Sequence, residues 1–235
     1  MPQITSANER FVIVDDFLPA KTVDALFQHV NDDQFTVVHQ QRVLKAWRLG
    51  DGLPVRGTGV TFRPGGRDRS VDNSYPTDTP LDLFVDAIRK ILPKAAGSIG
   101  LSQDSWNAIT FSPWIYPAGA GLSLHSDSLA HAGAYTYFLH REWSYHWGGH
   151  LLVLDEADDS PKPKPYRYWL SDAEENRILS GRSGLATCIL PKPNRLVFLA
   201  PTALHMITRV DPNAGTHARV SISGFFVRPE KKQRR

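Results

Sequence analysis

Apolar residues recur along this chain with two different periods, and the change from one to the other divides it. Arg10 to Val30, RFVIVDDFLPAKTVDALFQHV, opens with a short apolar run that predicts a strand, then sets Val23, Leu26, Phe27 and Val30 at helical spacing after Pro19. Pro80 to Leu92 repeats the helical pattern, with Leu81, Phe84, Val85, Ile88 and Leu92 on one face and Pro93 expected to end it. Between these helices, Gln34 to Trp47 reads as one or two strands, Arg48 to Thr61 as a glycine-rich loop and Ser70 to Pro80 as a polar loop.

From Trp106 onward the period shortens. Segments rich in β-branched and aromatic residues alternate with turn residues: Trp106 to Tyr116, Leu122 to Asp127, Ala134 to His140, His150 to Leu154, Arg195 to Leu199 and Arg219 to Val227. This succession predicts a mainly β chain with flanking helices (α+β), its core a jelly-roll or cupin-like barrel able to hold a site inside. A long polar, proline-bearing insert at about 155–193 reads as a lid candidate with a short helix near Ser171 to Leu179. The expected organisation is one domain over 1–235, with N-terminal strands and support helices in 1–105, the barrel in 106–229 and a basic tail at 230–235.

Composition narrows the classes without naming a function. At 41% hydrophobic and 22% charged residues, the chain has ordinary globular character. It holds no apolar run near the ~20 residues that cross a bilayer, and MPQITSANERF lacks a signal-peptide core, so a cytoplasmic, membrane-free protein is expected. Cys188 is the only cysteine, which rules out an internal disulfide and a cysteine-based zinc framework, and it reads as a small buried apolar residue. The net charge of +3 is small and lies largely in the solvated tail, which argues against a nucleic-acid partner.

The candidate chemistry centres on Tyr116 to Asp127, YPAGAGLSLHSD. In an extended LSLHSDS, the two-residue period puts His125 and Asp127 on one face and Ser126 on the other. An imidazole and a carboxylate, completed by a second His from elsewhere, form the three-ligand face of non-haem Fe(II) sites. The triplet is short and also arises as a metal-free surface or core pair. Its context adds more. Tyr116 and Gly119 lead into His125 and Asp127; Ala134 to Trp143 includes Leu139-His140; Trp147-Gly148-Gly149-His150-Leu151 comes next; Asn194 to Leu199 leads to His205; and Arg219 to Phe226 reads RVSISGFF.

In that order, these pieces resemble the catalytic core of the Fe(II)/2-oxoglutarate dioxygenase superfamily, in particular its prolyl-4-hydroxylase-like branch. The resemblance spans Tyr116 to Phe226, with His140 at the family's Asn and His150 at its Glu. It implies a double-stranded β-helix, and Fe(II), 2-oxoglutarate and O2 as cofactor and co-substrates. It also implies His125, Asp127 and His205 as metal ligands, and Arg219, with Tyr116 and Ser221, as the seat of the 2-oxoglutarate distal carboxylate. A guanidinium suits that carboxylate because its planar fork donates two parallel hydrogen bonds. The fourteen-residue interval from His205 to Arg219 is longer than the family's, so Asp211 to Gly215 is expected to enlarge a turn. Arg209 is the rival cation and reads as surface.

Halogenating relatives lack the carboxylate that Asp127 supplies here, so hydroxylation is favoured, while desaturation and ring closure use the same triad. The implied reaction oxidises an unactivated C–H bond and releases succinate and CO2. Trp47, Arg48, His150 and Tyr168 are the substrate-pocket candidates, with Arg42, Asp51, Arg56, Arg63, Tyr166, Arg167 and Trp169 as further residues whose alternative is a packing or exposed role. A small polar substrate, a free amino acid or natural-product intermediate, is the first expectation and a peptidyl-prolyl or other protein substrate the second. A non-oxygenase cupin-like metal protein is the third, although it has no use for Arg219.

Overall fold

In the computed structural model, which describes residues 2–38, 49–65, 73–154, 172–180, 185–201 and 203–229, two antiparallel sheets face each other. The thirteen strands of the described residues are β1 (Gln3–Ala7), β2 (Phe11–Asp15), β3 (Thr36–Val37), β4 (Val55–Arg56), β5 (Val60–Phe62), β6 (Ala108–Tyr116), β7 (Leu122–His125), β8 (His131–Phe138), β9 (Leu151–Leu154), β10 (Ala186–Ile189), β11 (Leu196–Leu199), β12 (His205–Ile207) and β13 (Arg219–Val227). The major sheet runs β1-β2-β11-β8-β13-β6-β4-β3, with β5 also on β6, and the minor sheet runs β10-β9-β12-β7.

Two helices cover the outer face of the major sheet. α1 (Ala20–Asn31) buries Leu26 and Val30, and α2 (Pro80–Ala95) buries Leu81, Phe84, Val85, Ile88, Ile91, Leu92 and Ala95, all at helical spacing. Thr79 caps α2, its hydroxyl accepting from the Leu81 N–H at 3.3 Å. Phe84 lies 5.3 Å from the Tyr137 ring and 5.9 Å from Phe111, tying the helix to the strands beneath. Burying such a side chain contributes on the order of 1.5–3 kcal/mol.

Strand alternation leaves the opposite face for chemistry. Along β6, Ile109 and Phe111 belong to the core under the helices, while Thr110, Ser112, Trp114 and Tyr116 line a cavity between the sheets. On β8, Thr136 faces that cavity and Tyr137 packs on Phe84.

Several sequence expectations are corrected. Pro93 does not end its helix: α2 continues to Ala95, because Ala95 is still buried and a proline so near the C-terminus forfeits only one backbone bond. The region read as loop from Arg48 to Thr61 contains β4 and the start of β5, strands of two and three residues that are too short to show a period. Part of the expected insert is strand, since Ala186–Ile189 pairs with β9 as an edge of the minor sheet. Cys188 on that edge is exposed rather than buried. Asp211 to Gly215 forms the expected turn, with the Asp211 carboxylate accepting from the Asn213 N–H at 2.8 Å. Much of the remaining insert, and the tail from 230, lie outside the described residues. Among the described residues no helix is long and apolar enough to cross a membrane.

Candidate metal centre and anion seat

The three candidate metal ligands come from the minor sheet and the turn that leaves it. His205 opens β12 and pairs with His125, the last residue of β7. Asp127 lies just beyond the strand instead of within it, which corrects the simple two-residue alternation. Three steps on β7, from Leu122 to His125, oppose two on β12, from His205 to Ile207, a bulge that re-aims the chain next to the site.

His125, Asp127 and His205 are 4, 6 and 6% exposed, and their nearest ligand atoms all lie within 4.8 Å of one another. The His125 and His205 rings are 4.2 Å apart, and His125 Nε2 is 4.0 Å from Asp127 Oδ1. His125 Nδ1 donates to the Ser123 carbonyl at 2.8 Å and His205 Nδ1 to the Ala203 carbonyl at 2.9 Å. A carbonyl can only accept, so each ring carries a proton on Nδ1, and the neutral form of each would offer Nε2 as its lone pair. Burial, then the neighbouring His205, holds His125 well below the usual imidazole pKa and keeps it neutral. Among the described residues, the buried Asp127 Oδ2 has no hydrogen-bond partner. Two lone pairs and a carboxylate therefore converge with no donor between them, an arrangement that costs free energy unless a cation joins it. The donor set fits Fe(II), a metal served by two imidazoles and a carboxylate.

A buried cation comes from the major sheet. Arg219, the first residue of β13, is 0% exposed. Its Nε donates to the Gly149 carbonyl at 2.9 Å and its Nη1 to the Ser221 hydroxyl at 3.3 Å, while Nη2 is buried without a partner among the described residues. The guanidinium lies 5.2 Å from the Tyr116 ring centre and 4.8 Å from that of Phe138. No carboxylate of the described residues pairs with it. Burial lowers its pKa to about 10, so it remains charged at neutral pH.

Gly148 and Gly149, both at positive φ, make the turn that brings this carbonyl in. A Cβ on Gly148 would run into the Arg209 carbonyl oxygen. That constraint accounts for the Gly-Gly pair.

Both ends open onto one cavity of about 380 Å³, lined by Tyr116, His125, Asp127, His205 and Arg219 among others. Of the remaining sequence candidates, Ser221 is fully buried against Arg219. His150 does not line the cavity: its ring turns to the Tyr145 carbonyl, 2.9 Å from Nε2, and its backbone N–H donates to Thr208 Oγ1. Trp47, Arg48 and Tyr168, with Arg42, Tyr166, Arg167 and Trp169, lie outside the described residues. Arg209 is exposed, as expected of the rival cation.

Three further contributors emerge from the fold. Arg56 and Asp51 stand in the sequence only among the secondary pocket candidates, and Ser112 is not singled out there at all. Ser112 and Arg56 line the cavity, and the buried Asp51 accepts from the Ser123 hydroxyl at 2.7 Å and the Ser123 N–H at 3.2 Å, bracing the residue whose carbonyl orients His125. Ser112 was legible, because it falls on the same alternation as Thr110 and Tyr116.

Comparisons with known proteins place the class. Residues 111–227 match the 2OG-Fe(II) oxygenase superfamily, and the chain belongs to that superfamily. Its members use Fe(II), 2-oxoglutarate and O2. No curated protein matches by sequence. Among solved structures, a prolyl-4-hydroxylase from Pseudomonas putida is 17% identical, with 94% of each chain covered and a TM-score of 0.59. A prolyl hydroxylase from Trichoplax adhaerens, in complex with a hypoxia inducible factor oxygen degradation domain peptide fragment, is 14% identical with a TM-score of 0.57, covering 94% of this chain and 84% of that one. A 2OG-Fe(II) oxygenase family oxidoreductase from Burkholderia pseudomallei is 14% identical with a TM-score of 0.56, covering 96% of this chain and 88% of that one. These likenesses show the double-stranded β-helix fold.

Proposed function

We propose that this oxygenase hydroxylates an unactivated C–H bond of a small polar substrate, with His125, Asp127 and His205 holding Fe(II) and Arg219, Tyr116 and Ser221 holding the distal carboxylate of 2-oxoglutarate. One observation carries the reading: a fully buried arginine with an unpartnered Nη2 shares a cavity with two imidazoles and a carboxylate whose Oδ2 is equally unpartnered. A cation is wanted at one end and an anion at the other. When bound, iron with 2-oxoglutarate and O2 supplies the oxidation of the substrate C–H bond, with release of succinate and CO2.

The chain's own residues position and shield. The Ser123 and Ala203 carbonyls hold the Nδ1 edge of each imidazole, so Nε2 is the atom left to face a metal. Gly149 holds Arg219 by Nε, leaving the Nη edge to meet a carboxylate in a bidentate manner. Burial strengthens that contact by excluding water. The cavity of about 380 Å³ lies at the small end of the range for small-molecule sites, roughly 300–1,000 Å³, and co-substrate takes part of it.

The competing reading is a peptidyl substrate, which the two prolyl hydroxylase neighbours bring forward. Succinate release, measured against a panel of free amino acids and of blocked proline-containing peptides, separates the two. Stimulation by free amino acids is expected; stimulation by blocked peptides alone would replace the small-molecule assignment.

A further inference from the structure

The cavity carries a second arginine that the iron and 2-oxoglutarate reading does not use. Arg56 on β4 lines the same space as Arg219. Its Nε and Nη2 both donate to the single hydroxyl of Ser112, at 3.1 and 2.8 Å, and its guanidinium stands 5.6 Å from the Trp114 ring centre. A hydroxyl oxygen accepts those bonds but leaves the charge unbalanced, and no carboxylate of the described residues pairs with Arg56. Burial is the cause that lowers its pKa. A surface arginine would have water in that role. Here the group is half withdrawn from solvent.

The two arginines occupy separate seats. In the register of the major sheet, Arg219 lies opposite Tyr116 on one edge of β6 and Arg56 opposite Trp114 on the other. Each guanidinium stands near its own aromatic, the rings of Trp114 and Tyr116 are 6.4 Å apart, and β6 separates the two strands that carry the arginines. One carboxylate held by Arg219 therefore leaves Arg56 unanswered. Charge counting agrees. Iron(II) and doubly charged 2-oxoglutarate cancel, Asp127 cancels one arginine, and one positive charge remains in the cavity.

We infer that Arg56, oriented by Ser112, is the seat for a carboxylate of the substrate to be oxidised, so that the substrate is a free acid of amino-acid size and not a residue inside a peptide chain. This rests on the hydroxylase reading above and sharpens its substrate class. Arg56 would act as a specificity residue: a half-buried guanidinium rewards a charged carboxylate and leaves a polar deficit against a neutral amide.

The test compares proteinogenic L-amino acids with their primary amides on the full chain. Binding is followed by ligand-observed NMR in the metal-free protein and, anaerobically with Fe(II) and 2-oxoglutarate, by perturbation of the visible charge-transfer band. At least one free acid should bind about 10- to 100-fold more tightly than its amide, the range set by loss of a charged hydrogen bond. Arg56→Gln should bring the acid down to its amide, and Arg56→Lys, which keeps the charge, should restore part of the preference. Equal binding of acids and amides, binding of no free acid, or a preference that survives in R56Q would overturn the assignment. If R56Q instead raises the 2-oxoglutarate requirement and leaves substrate affinity alone, Arg56 belongs to the co-substrate. Absence of the charge-transfer band would sink the hydroxylase reading, while the acid-over-amide comparison by NMR would still judge Arg56.

Discussion

The two sheets that enclose the cavity contribute opposite deficits to it. The minor sheet brings lone pairs and a negative charge on His125, Asp127 and His205; the major sheet brings a positive charge on Arg219. Each deficit is buried, and neither is satisfied within its own sheet. The minor sheet builds its end with a bulge and a residue beyond the strand, whereas the major sheet uses regular alternation along β6 and β13. On the proposed function, labour is divided accordingly: the minor sheet would hold the metal and the major sheet the acid that meets it. Perturbing one end should leave a recognisable remainder at the other.

The sharpest break is Asp127→Ala. It removes the one carboxylate of the proposed protein ligand set, so Fe(II) affinity should fall by more than the roughly 10- to 100-fold that attends loss of an outer hydrogen-bond partner, and succinate formation should cease. Fe(II) titration of the folded variant checks this. Arg219→Met attacks the other end. Iron should remain bound while the 2-oxoglutarate dissociation constant rises by about 10²- to 10³-fold, consistent with the ~3–5 kcal/mol cost of breaking a buried ion pair. Because no carboxylate of the described residues balances the buried wild-type cation, the ligand-free variant should melt no lower than wild type, and 2-oxoglutarate should cease to raise its melting temperature.

His140 tests the surroundings of the anion end. It is buried, its Nε2 lies 2.6 Å from the Pro191 carbonyl, and burial, with a smaller part from Arg219, lowers its pKa to about 4. The unfolded chain protonates this ring near pH 6.5 and the folded one only near 4, so between those values the unfolded state holds more protons and stability falls as pH falls. The loss amounts to about 3 kcal/mol once both forms are protonated. His140→Asn should flatten that acid limb in urea unfolding curves collected from pH 7 to 4, even if it is less stable at pH 7.

Smaller effects sharpen the comparison. Asp51→Ala removes the brace on Ser123 and should destabilise by about 1–3 kcal/mol, with a loss of iron affinity and little change in the 2-oxoglutarate requirement of the iron-saturated enzyme. Ser221→Ala removes one acceptor of Arg219 and should cost about 1 kcal/mol, seen as a several-fold weaker 2-oxoglutarate affinity with iron binding unchanged.

Both ends were legible in the sequence, and the residues that support or adjoin them were less so. Histidine-x-aspartate is a local pattern, and β13 from Arg219 to Val227 falls on the segment that alternation predicts. Asp51 and Arg56 were harder to assign, because they sit in a glycine-rich stretch where β4 is only two residues long and long-range pairing with β6 creates the strand. Pairing of the same kind recruited Ala186–Ile189 from an apparent insert. The bulge at β7 has no local signature for a related reason: it is a mismatch between two strands, and nothing in LSLHSD alone marks it. His150 shows the converse error, a position inferred from a motif whose ring the fold turns to a neighbouring carbonyl.

The most direct measurement is an anaerobic titration of the protein with Fe(II) and 2-oxoglutarate, in wild type and Arg219→Met, tracked by the visible charge-transfer band of the chelate. A saturable band in wild type that requires far more 2-oxoglutarate in R219M, at unchanged iron stoichiometry, is the predicted result. An identical 2-oxoglutarate requirement in both proteins, or iron binding with no band at all, would contradict the pairing of metal and anion across the two sheets.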